Sequence, residues 1–293
     1  MRKFIVFVLI TIAITIILFS QGVFKKNEQV LTWNVDLIGT NKNLGEGVKI
    51  AIIDSGINTK HEDLKKVVTK KYNVINPNNE IIDEFGHGTA IAGIIAAQNN
   101  RVGIIGIAPN VEVFDVKVLD EAGFGEVDDL IEALDWSMKN NVDIINISFG
   151  FQTNDADLKR KINDVIKSGI IIVAAAGNTY GLKGDYPAMY DGVLSIGSLD
   201  KEMKRSNFTS KGNIDFVSPG EDILSTDHNG SYSYFSGTSF ASSHVTGLIA
   251  LLLSENIDSN FSEDIIFSEE EWTKKSHGNG LLTLRKEDII NEY

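Results

Sequence analysis

The chain has 293 residues, of which 43% are hydrophobic, so it can bury the core of one large domain or of two smaller ones. It carries 27 Lys and Arg residues against 40 Asp and Glu residues. The resulting net charge of -13 argues against a nucleic-acid partner and against adhesion to anionic lipid through a basic surface. The absence of cysteine excludes disulfides, thiolate metal sites and a cysteine nucleophile, which leaves serine chemistry as the main covalent option.

The amino terminus has the pattern of a membrane-directed segment. Residues 4–19 are apolar apart from two threonines, and no charge follows until Lys25. Residues 20–22 match a small-x-small cleavage site poorly, so residues 1–24 are predicted to be a retained signal anchor in preference to a cleaved signal peptide. A short linker over residues 25–30 follows. Basic pairs flank both ends of the apolar segment, so they do not indicate its orientation in a membrane. We expect the folded domain to lie outside the cytoplasm, either as part of a single-pass protein of the cell membrane or as a secreted protein.

Short β-branched runs alternate with helical patterns along the rest of the chain. This alternation predicts an α/β fold in which a parallel sheet is covered by helices on both faces. One domain accounts for residues 31–293. The predicted strands cover residues 48–53, 111–119, 143–148 and 169–176, and the predicted helices cover residues 90–97, 127–140, 157–168 and a surface stretch near 285–292.

Three polar residues stand at the ends of predicted core elements. Asp54 follows the first buried strand, His87 begins a helix between two glycines, and Ser239 precedes the apolar run of residues 248–253. The carboxyl ends of parallel strands and the N–H groups at helix starts are where α/β proteins place reactive groups. Two of them also have a structural alternative, Ser239 as a helix cap and Asp54 as a turn residue.

These residue types supply an acid, a base and a nucleophile. A neutral serine hydroxyl is a weak nucleophile, so a histidine must take its proton and a carboxylate must orient that histidine. His87 is the best candidate for the base, because it alone lies on a glycine-flanked turn into a core helix. Three other histidines are predicted to lie in polar loops: His61, His228 and His277. His244 is predicted to lie on the first turns of the Ser239 helix and to have a packing role.

The blocks around these residues resemble the signature blocks of the subtilisin-like serine peptidases. Residues 54–56, 87–89 and 237–239 match in the family's order Asp, His, Ser, and residues 174–178 resemble the block whose asparagine, here Asn178, supplies a side-chain donor to the oxyanion hole. The resemblance runs from about Leu31 to Leu282. It implies a three-layer sandwich, a mostly parallel sheet with helices on both faces, preceded here by one amino-terminal hydrophobic helix.

The sequence also departs from the family pattern. Ala90 stands where histidine is common and Ser243 where proline is usual, and both changes are expected to alter stability more than activity. The family usually carries a folded inhibitory propeptide, and the stretch from Gln21 to Val30 is too short to form one. We therefore expect folding and activation to follow another route.

The resemblance further implies how a substrate binds. Ser148, Phe149 and Gly150 resemble the segment that pairs with an extended peptide, and residues 123–125, which begin with Gly123, resemble the opposing edge. A peptide or protein substrate would then add as a β-strand, with main-chain pairing supplying affinity and pockets supplying selectivity.

The primary specificity pocket is expected to contain an acidic residue. Tyr186 and Pro187 resemble the segment that closes this pocket, which puts Asp185 near its floor. An apolar substrate side chain would leave that carboxylate unpaired at a cost of about 1–3 kcal/mol, whereas Lys or Arg would pair with it. This predicts cleavage after basic residues, as in a processing enzyme; the alternative is that Asp185 points to solvent or pairs with Lys183. An acidic cluster beside the groove would attract a basic peptide: Asp120, Glu121, Glu126, Asp128 and Asp129.

The loop of residues 98–104 resembles the family's calcium-binding loop. The implied ligands form a hard oxygen set suited to Ca²⁺: the side chains of Asp63 and Asn100 and the carbonyl oxygens of Gln98, Val102 and Ile104. The alternative is an ordinary polar loop, because Arg101 brings a cation close and no further amino-terminal ligand is evident.

The leading hypothesis is a membrane-anchored or exported serine endopeptidase that works through an acyl-enzyme. The alternative function is that of a catalytically silent relative that binds peptides or acts as a scaffold. Such a protein has no physical need for His87 and Asn178 together, so their presence argues against it. A serine esterase built on the nucleophile elbow needs Gly-x-Ser-x-Gly and the order Ser, Asp, His, and the chain has neither.

Overall fold

A computed structural model describes residues 28–257, 266–268 and 272–285 of the chain. The predicted membrane-directed segment over residues 1–24 and nearly all of the predicted surface helix near residues 285–292 lie outside this range. Within these three ranges, no helix is long and apolar enough to cross a membrane.

Strands and helices alternate through most of the described chain, as the sequence pattern predicts, and the predicted boundaries hold to within about three residues. The strands are β1 (Gln29–Val30), β2 (Lys49–Asp54), β3 (Val68–Asn73), β4 (Gly103–Ile104), β5 (Glu112–Lys117), β6 (Ile144–Ile147), β7 (Ile171–Ala175), β8 (Leu194–Leu199), β9 (Phe216–Pro219), β10 (Ile223–Thr226), β11 (Tyr232–Phe235), β12 (Ile266–Phe267) and β13 (Leu281–Leu282). The helices are α1 (Trp33–Ile38), α2 (His87–Ala96), α3 (Val127–Lys139), α4 (Ala156–Lys167), α5 (Thr238–Ser254) and α6 (Lys274–His277).

The main sheet of the described residues has nine strands in the order β12-β13-β9-β8-β7-β6-β2-β5-β3. Its pairings are parallel except that of β12 with β13. Two short pairs complete the strands: β1 with β4, and β10 with β11. Strand β2 lies between β5 and β6, so the carboxyl ends of three central strands meet at one edge. Polar side chains that follow these strands are therefore brought together.

Helices cover both faces of the sheet, which gives the predicted three-layer sandwich. Helices α1, α2 and α5 pack on one face and α3 and α4 on the other, and the two apolar clusters between the layers are almost fully buried. Helix α5 is apolar nearly all round and is buried from Thr238 to Leu252, as expected of a helix in the middle of a large domain. It carries Ser239 at its first turn and holds that residue rigidly against the sheet edge.

Candidate active site

The structure brings Asp54 and His87 into direct contact. Asp54 is the last residue of β2, and His87 is the first residue of α2. The His87 Nδ1 atom lies 2.8 Å from Asp54 Oδ1 and 2.9 Å from Oδ2, and both residues are almost fully buried. A carboxylate only accepts hydrogen bonds, so His87 Nδ1 carries the proton and the Nε2 lone pair is left for proton transfer.

Two opposing effects act on the pKa of His87. Burial lowers this pKa, but the charge of Asp54, its hydrogen bond and the charge of Asp83 together outweigh burial, so the pKa of His87 is raised. The imidazolium that forms on proton transfer is thereby stabilised, as a general base requires.

Ser239 lies at the start of α5, and its hydroxyl makes a hydrogen bond with a backbone carbonyl. The Oγ atom donates a 2.6 Å hydrogen bond to the backbone carbonyl of Ser148, at the carboxyl end of β6. No hydrogen bond joins Ser239 Oγ to His87 among the described contacts. The hydroxyl must give up its hydrogen bond to Ser148 O before it can pass its proton to His87.

The amide of Asn178 has a defined orientation. Its Oδ1 accepts hydrogen bonds from the backbone N–H and from the hydroxyl of Thr238, both at 3.0 Å. The Nδ2 donors are therefore directed away from Thr238, and Asn178 lines the same cavity as Ser239. Together with the backbone N–H of Ser239, this amide can donate to a negatively charged oxygen beside Ser239.

Asp185 lines this cavity as well and has no partner there. Its Oδ1 is buried without a hydrogen bond, and burial raises the pKa of Asp185 to about 6. Lys183 does not pair with it, because the Lys183 ammonium donates to the Tyr186 hydroxyl at 2.9 Å. Asp185 is therefore not paired with Lys183 among the described contacts, and its carboxyl group is half-buried, with Oδ1 inside the fold.

Two glycines make room for Asp185. A Cβ atom on Gly150 would lie 2.7 Å from the Asp185 Cβ, and one on Gly177 would lie 2.5 Å from its Oδ2. The two sides of the cavity are joined because Phe151 and Tyr186 exchange backbone hydrogen bonds of 2.7 and 2.8 Å. The enclosed space is only about 30 Å³, and the residues that border it include Ser148, Phe149 and Gly150.

The opposing edge near Gly123 is built around an aromatic ring. Gly123 has a left-handed backbone (φ 78°), and a Cβ there would lie 2.6 Å from the ring of Phe85, which itself neighbours the His87 ring at 6.1 Å. Phe85 was not among the sequence-predicted site residues. In the predicted acidic cluster, Asp120 is occupied in shaping the turn, since its carboxylate accepts the N–H groups of Ala122 and Phe124.

The predicted calcium loop folds around a buried carboxylate. Asp63 Oδ1 accepts from Asn100 Nδ2, and Oδ2 accepts from the Ile104 N–H and the Tyr232 hydroxyl. The carbonyls of Gln98 and Ile104 converge on one point, where Gln29 Nε2 donates to them at 2.7 and 2.9 Å. Gln29 is thus an amino-terminal member of this loop that the sequence reasoning did not find.

This oxygen-rich arrangement fits Ca²⁺. The amide nitrogen of Gln29 stands where two carbonyl oxygens converge, as a cation would, and a half turn of an amide exchanges its nitrogen for its oxygen. No group of three His, Cys, Asp or Glu side chains that could hold a metal occurs in the part of the chain described. A cation here would therefore depend on carbonyl and amide oxygens together with Asp63, which is an acceptable set for calcium.

Asp83 is a second site residue that the sequence reasoning missed. Its carboxylate accepts from the Ser55 hydroxyl and the Gly86 N–H through Oδ1, and from the Thr89 N–H and hydroxyl through Oδ2. It therefore caps α2 and ties the start of that helix to the residue that follows Asp54. An aspartate four residues before His87, at the expected start of a helix, was the available signal.

The departures at positions 90 and 243 are accommodated without disturbing these contacts. Ala90 is fully buried in the core cluster between α2 and the sheet. The Ser243 hydroxyl donates to the Ser239 carbonyl at 2.9 Å, inside α5. His244 packs as predicted: it is fully buried between Asn34 and the Phe240 carbonyl, and burial lowers its pKa to about 4.

The parallel sheet is covered by helices on both faces and brings a carboxylate, an imidazole and a serine together at the carboxyl ends of its strands. This combination is typical of α/β proteins that carry an Asp, His, Ser triad. Within that class the chain belongs to the Subtilase family, whose sequence model matches residues 45–275.

Individual subtilisins resemble the chain over most of its length. Subtilisin of Bacillus pumilus is 39% identical over 218 residues, which is 72% of this chain and 78% of that protein. Subtilisin DY of Bacillus licheniformis is 37% identical over 238 residues, which is 78% of this chain and 86% of that protein. Subtilisin E of Bacillus subtilis (strain 168) is 39% identical over 218 residues, but the match spans only 57% of its length.

Proposed function

We propose that the protein is a serine endopeptidase in which Ser239, His87 and Asp54 hydrolyse a peptide bond through an acyl-enzyme. The observation that carries this proposal is the contact of both Asp54 oxygens with His87 Nδ1 in a buried site. That contact leaves Nε2 as a proton acceptor on the side of the imidazole away from the carboxylate.

In this mechanism Ser239 Oγ attacks the scissile carbonyl carbon while its proton passes to His87 Nε2. Asn178 Nδ2 and the Ser239 backbone N–H stabilise the resulting oxyanion. The carbon–nitrogen bond then breaks, and His87 gives the proton to the leaving amine. Water, deprotonated by the same histidine, hydrolyses the ester, and Ser239 regains its proton.

The bond between the Ser239 hydroxyl and Ser148 O suggests how a peptide substrate starts this sequence. If an extended peptide pairs with residues 148–150, one of its N–H groups donates to a carbonyl of that segment. A substrate N–H at Ser148 O would compete with the Ser239 hydroxyl and release it toward His87.

Labelling with a serine-directed fluorophosphonate tests the nucleophile. We expect stoichiometric labelling of the natural chain, none of Ser239→Ala, and strongly slowed labelling of His87→Ala, with Ser243→Ala as a matched control on the same helix. A folded chain that is neither labelled nor able to cleave denatured protein substrates would instead be a catalytically silent peptide-binding protein.

We further propose that the pocket beside Ser239 selects Lys or Arg. Support comes from the unpaired, partly desolvated Asp185 carboxylate and from its two glycine neighbours. A cationic side chain would supply the missing partner through a charge-assisted hydrogen bond. In so small a cavity Asp185 also limits the depth of the pocket, and the effect of its charge can be separated from the effect of its size.

Two substitutions distinguish charge from shape. Asp185→Asn keeps the shape and removes the charge, whereas Asp185→Gly removes both. We expect the ratio of kcat/KM for matched Arg and Ala substrates to fall in both variants. A pocket selected by shape alone would keep its preference for small residues in Asp185→Asn. Because the pKa of Asp185 is raised to about 6, the Arg preference should also weaken below pH 6, and the ratio cancels the shared dependence on His87.

We propose that Ca²⁺ stabilises the loop of residues 98–104 through the predicted ligands, with Gln29 as a further one: the side chains of Asp63, Asn100 and Gln29 and the carbonyl oxygens of Gln98, Val102 and Ile104. Bound calcium would stabilise the folded state by mass action. Excess EDTA should lower the Tm of the natural chain and leave Gln29→Ala unchanged. An unchanged Tm in the natural chain would mean that the Gln29 amide alone closes the loop.

We also propose that residues 1–24 direct the protein to a membrane, where the retained segment holds the body. The apolar run and its flanking charges support this. Flotation of the full chain with lipid vesicles, together with amino-terminal sequencing of the isolated protein, separates a retained anchor from a cleaved signal and a secreted body.

A further inference from the structure

An exposed basic surface runs against the net charge of this protein. Residues 60–71 contain five lysines, all exposed, and two acidic residues, of which Asp63 is fully buried. Arg101, in the loop that packs on Asp63, is exposed as well. The chain as a whole has 40 acidic residues against 27 basic ones, so this cluster is a local exception.

Two of the lysines have a structural explanation. Lys70 and Lys71 lie on β3, the edge strand of the main sheet, and donate to Asn140 and to Thr59. Lysines on an edge strand prevent pairing with another chain. The remaining four side chains make no ion pair or hydrogen bond with other described residues, and we call them the basic face: Lys60, Lys65, Lys66 and Arg101.

The backbone does not account for these residue types either. Lys66 (φ 70°) and Arg101 (φ 73°) both adopt the left-handed conformation, which glycine or asparagine occupies more easily. Each turn therefore carries a long cationic side chain where a smaller residue would suit the backbone better. This favours a role for the two charges themselves.

The basic face is linked by hydrogen bonds to Gln29, near the first residues that the structure describes. Gln29 donates to Gln98 O and Ile104 O and accepts the Arg101 N–H at 3.3 Å. Asn100 Nδ2 donates to Glu62 O at 3.2 Å, which joins this loop to the turn that carries the lysines. The first described residues and the basic face therefore lie on the same side of the molecule.

The preceding sequence limits how far this side can be from a membrane. Only residues 20–27 separate the apolar run of residues 4–19 from Glu28. At full extension this tether spans about 29 Å, and less in any other conformation. If the apolar run lies in a bilayer, the side of the body around Gln29 must stay near the membrane surface.

We propose that the basic face binds the anionic phospholipid headgroups of the membrane in which the amino-terminal segment lies. The inference rests on the membrane attachment proposed above. Cations held near an anionic membrane are attracted within about a Debye length, so clustered Lys and Arg side chains beside a membrane segment set the orientation of the attached body.

The absence of cysteine allows a sharp test with the full-length chain. In a Ser239→Ala background, Lys65→Cys or, as control, the exposed Lys201→Cys is labelled with a donor fluorophore. Each protein is reconstituted into phosphatidylcholine vesicles with or without phosphatidylglycerol that contain a headgroup-linked acceptor. We expect energy transfer from position 65 to rise about twofold with phosphatidylglycerol and to return to the lower value at high salt. Position 201 should not respond.

Charge reversal at Lys60, Lys66 and Arg101 to Glu should abolish the response at position 65 while the protein still floats with the vesicles. Flotation without any lipid-dependent change at position 65, or with the same change at position 201, would overturn the proposed orientation and leave membrane attachment intact. A protein that floats with neither kind of vesicle would refute membrane attachment itself, and the orientation with it.

Discussion

Asp115 is a buried acid whose ionisation should destabilise the fold at alkaline pH. It lies in the middle of β5 and is fully buried, and neither carboxylate oxygen has a hydrogen bond of normal geometry. Burial raises the pKa of Asp115 to about 8 and Asp83 adds to the effect, while Lys71, the Ile57 N–H and Lys117 lower the pKa only in part. The protonated acid is thus the form that the folded core accepts.

The direction and size of the effect follow from linkage. The folded pKa lies above the ordinary value of 3.8, so the stabilisation from the protonated acid is fully present below pH 3.8 and is lost as pH rises through about 8. Between pH 5 and pH 10 the loss covers about three pH units, or about 4 kcal/mol. Asp115→Asn is nearly isosteric and cannot ionise, so it should not show this loss.

The measurement is thermal unfolding followed by tryptophan fluorescence in the Ser239→Ala background, which prevents self-digestion. The fall in Tm from pH 5 to pH 10 should be larger with Asp115 than with Asp115→Asn by roughly 8–16 °C. Asp191→Asn, at an exposed position, serves as control and should follow the parent. Parallel pH dependences of the parent and of Asp115→Asn would refute the reasoning.

Three further predictions concern the active site and its helix. Asn178→Ala should lower kcat by roughly 10²- to 10³-fold, the range known for a subtilisin that lacks this donor, with KM nearly unchanged; a loss mainly in KM would make Asn178 a binding residue. Asp54→Asn should lower kcat roughly 10⁴-fold, as in other peptidases with this triad. It should also move the acid limb of the pH–rate profile to lower pH, because the raised pKa of His87 depends on Asp54. An acid limb that stays in place would contradict the role assigned to Asp54. The folded pKa of His244 is lowered from 6.5 to about 4. Its contribution to stability is therefore present above pH 6.5 and falls by about 3 kcal/mol as pH drops toward 4. His244→Gln should remove this acid sensitivity in unfolding curves, and equal acid sensitivity in both proteins would refute this role of His244.

Periodicity and local motifs determined the architecture and singled out the residues of the proposed triad. The β-branched runs of β2, β6 and β7 can bury both faces only in a sheet covered on both sides, and this property depends on neighbouring residues alone. The positions of Asp54, His87 and Ser239 followed in the same way, since each lies next to a strand or helix whose pattern is visible in the sequence.

Tertiary structure alone decided which partners these groups have. Gln29 meets Gln98 and Ile104 from about seventy residues away, and no local pattern connects them. The unpaired state of Asp185 depends on two glycines from other segments, at positions 150 and 177, that approach it closely.

Tertiary structure also decided the environment of Asp115 and the hydrogen bond of the Ser239 hydroxyl. In sequence, Asp115 is one polar residue in an ordinary strand pattern, and its raised pKa comes from complete burial against groups on other elements. The Ser239 hydroxyl finds Ser148 O because α5 packs against the end of β6. Local sequence restricts the conformations of each segment, whereas desolvation and hydrogen-bond pairing arise only when distant segments are packed together.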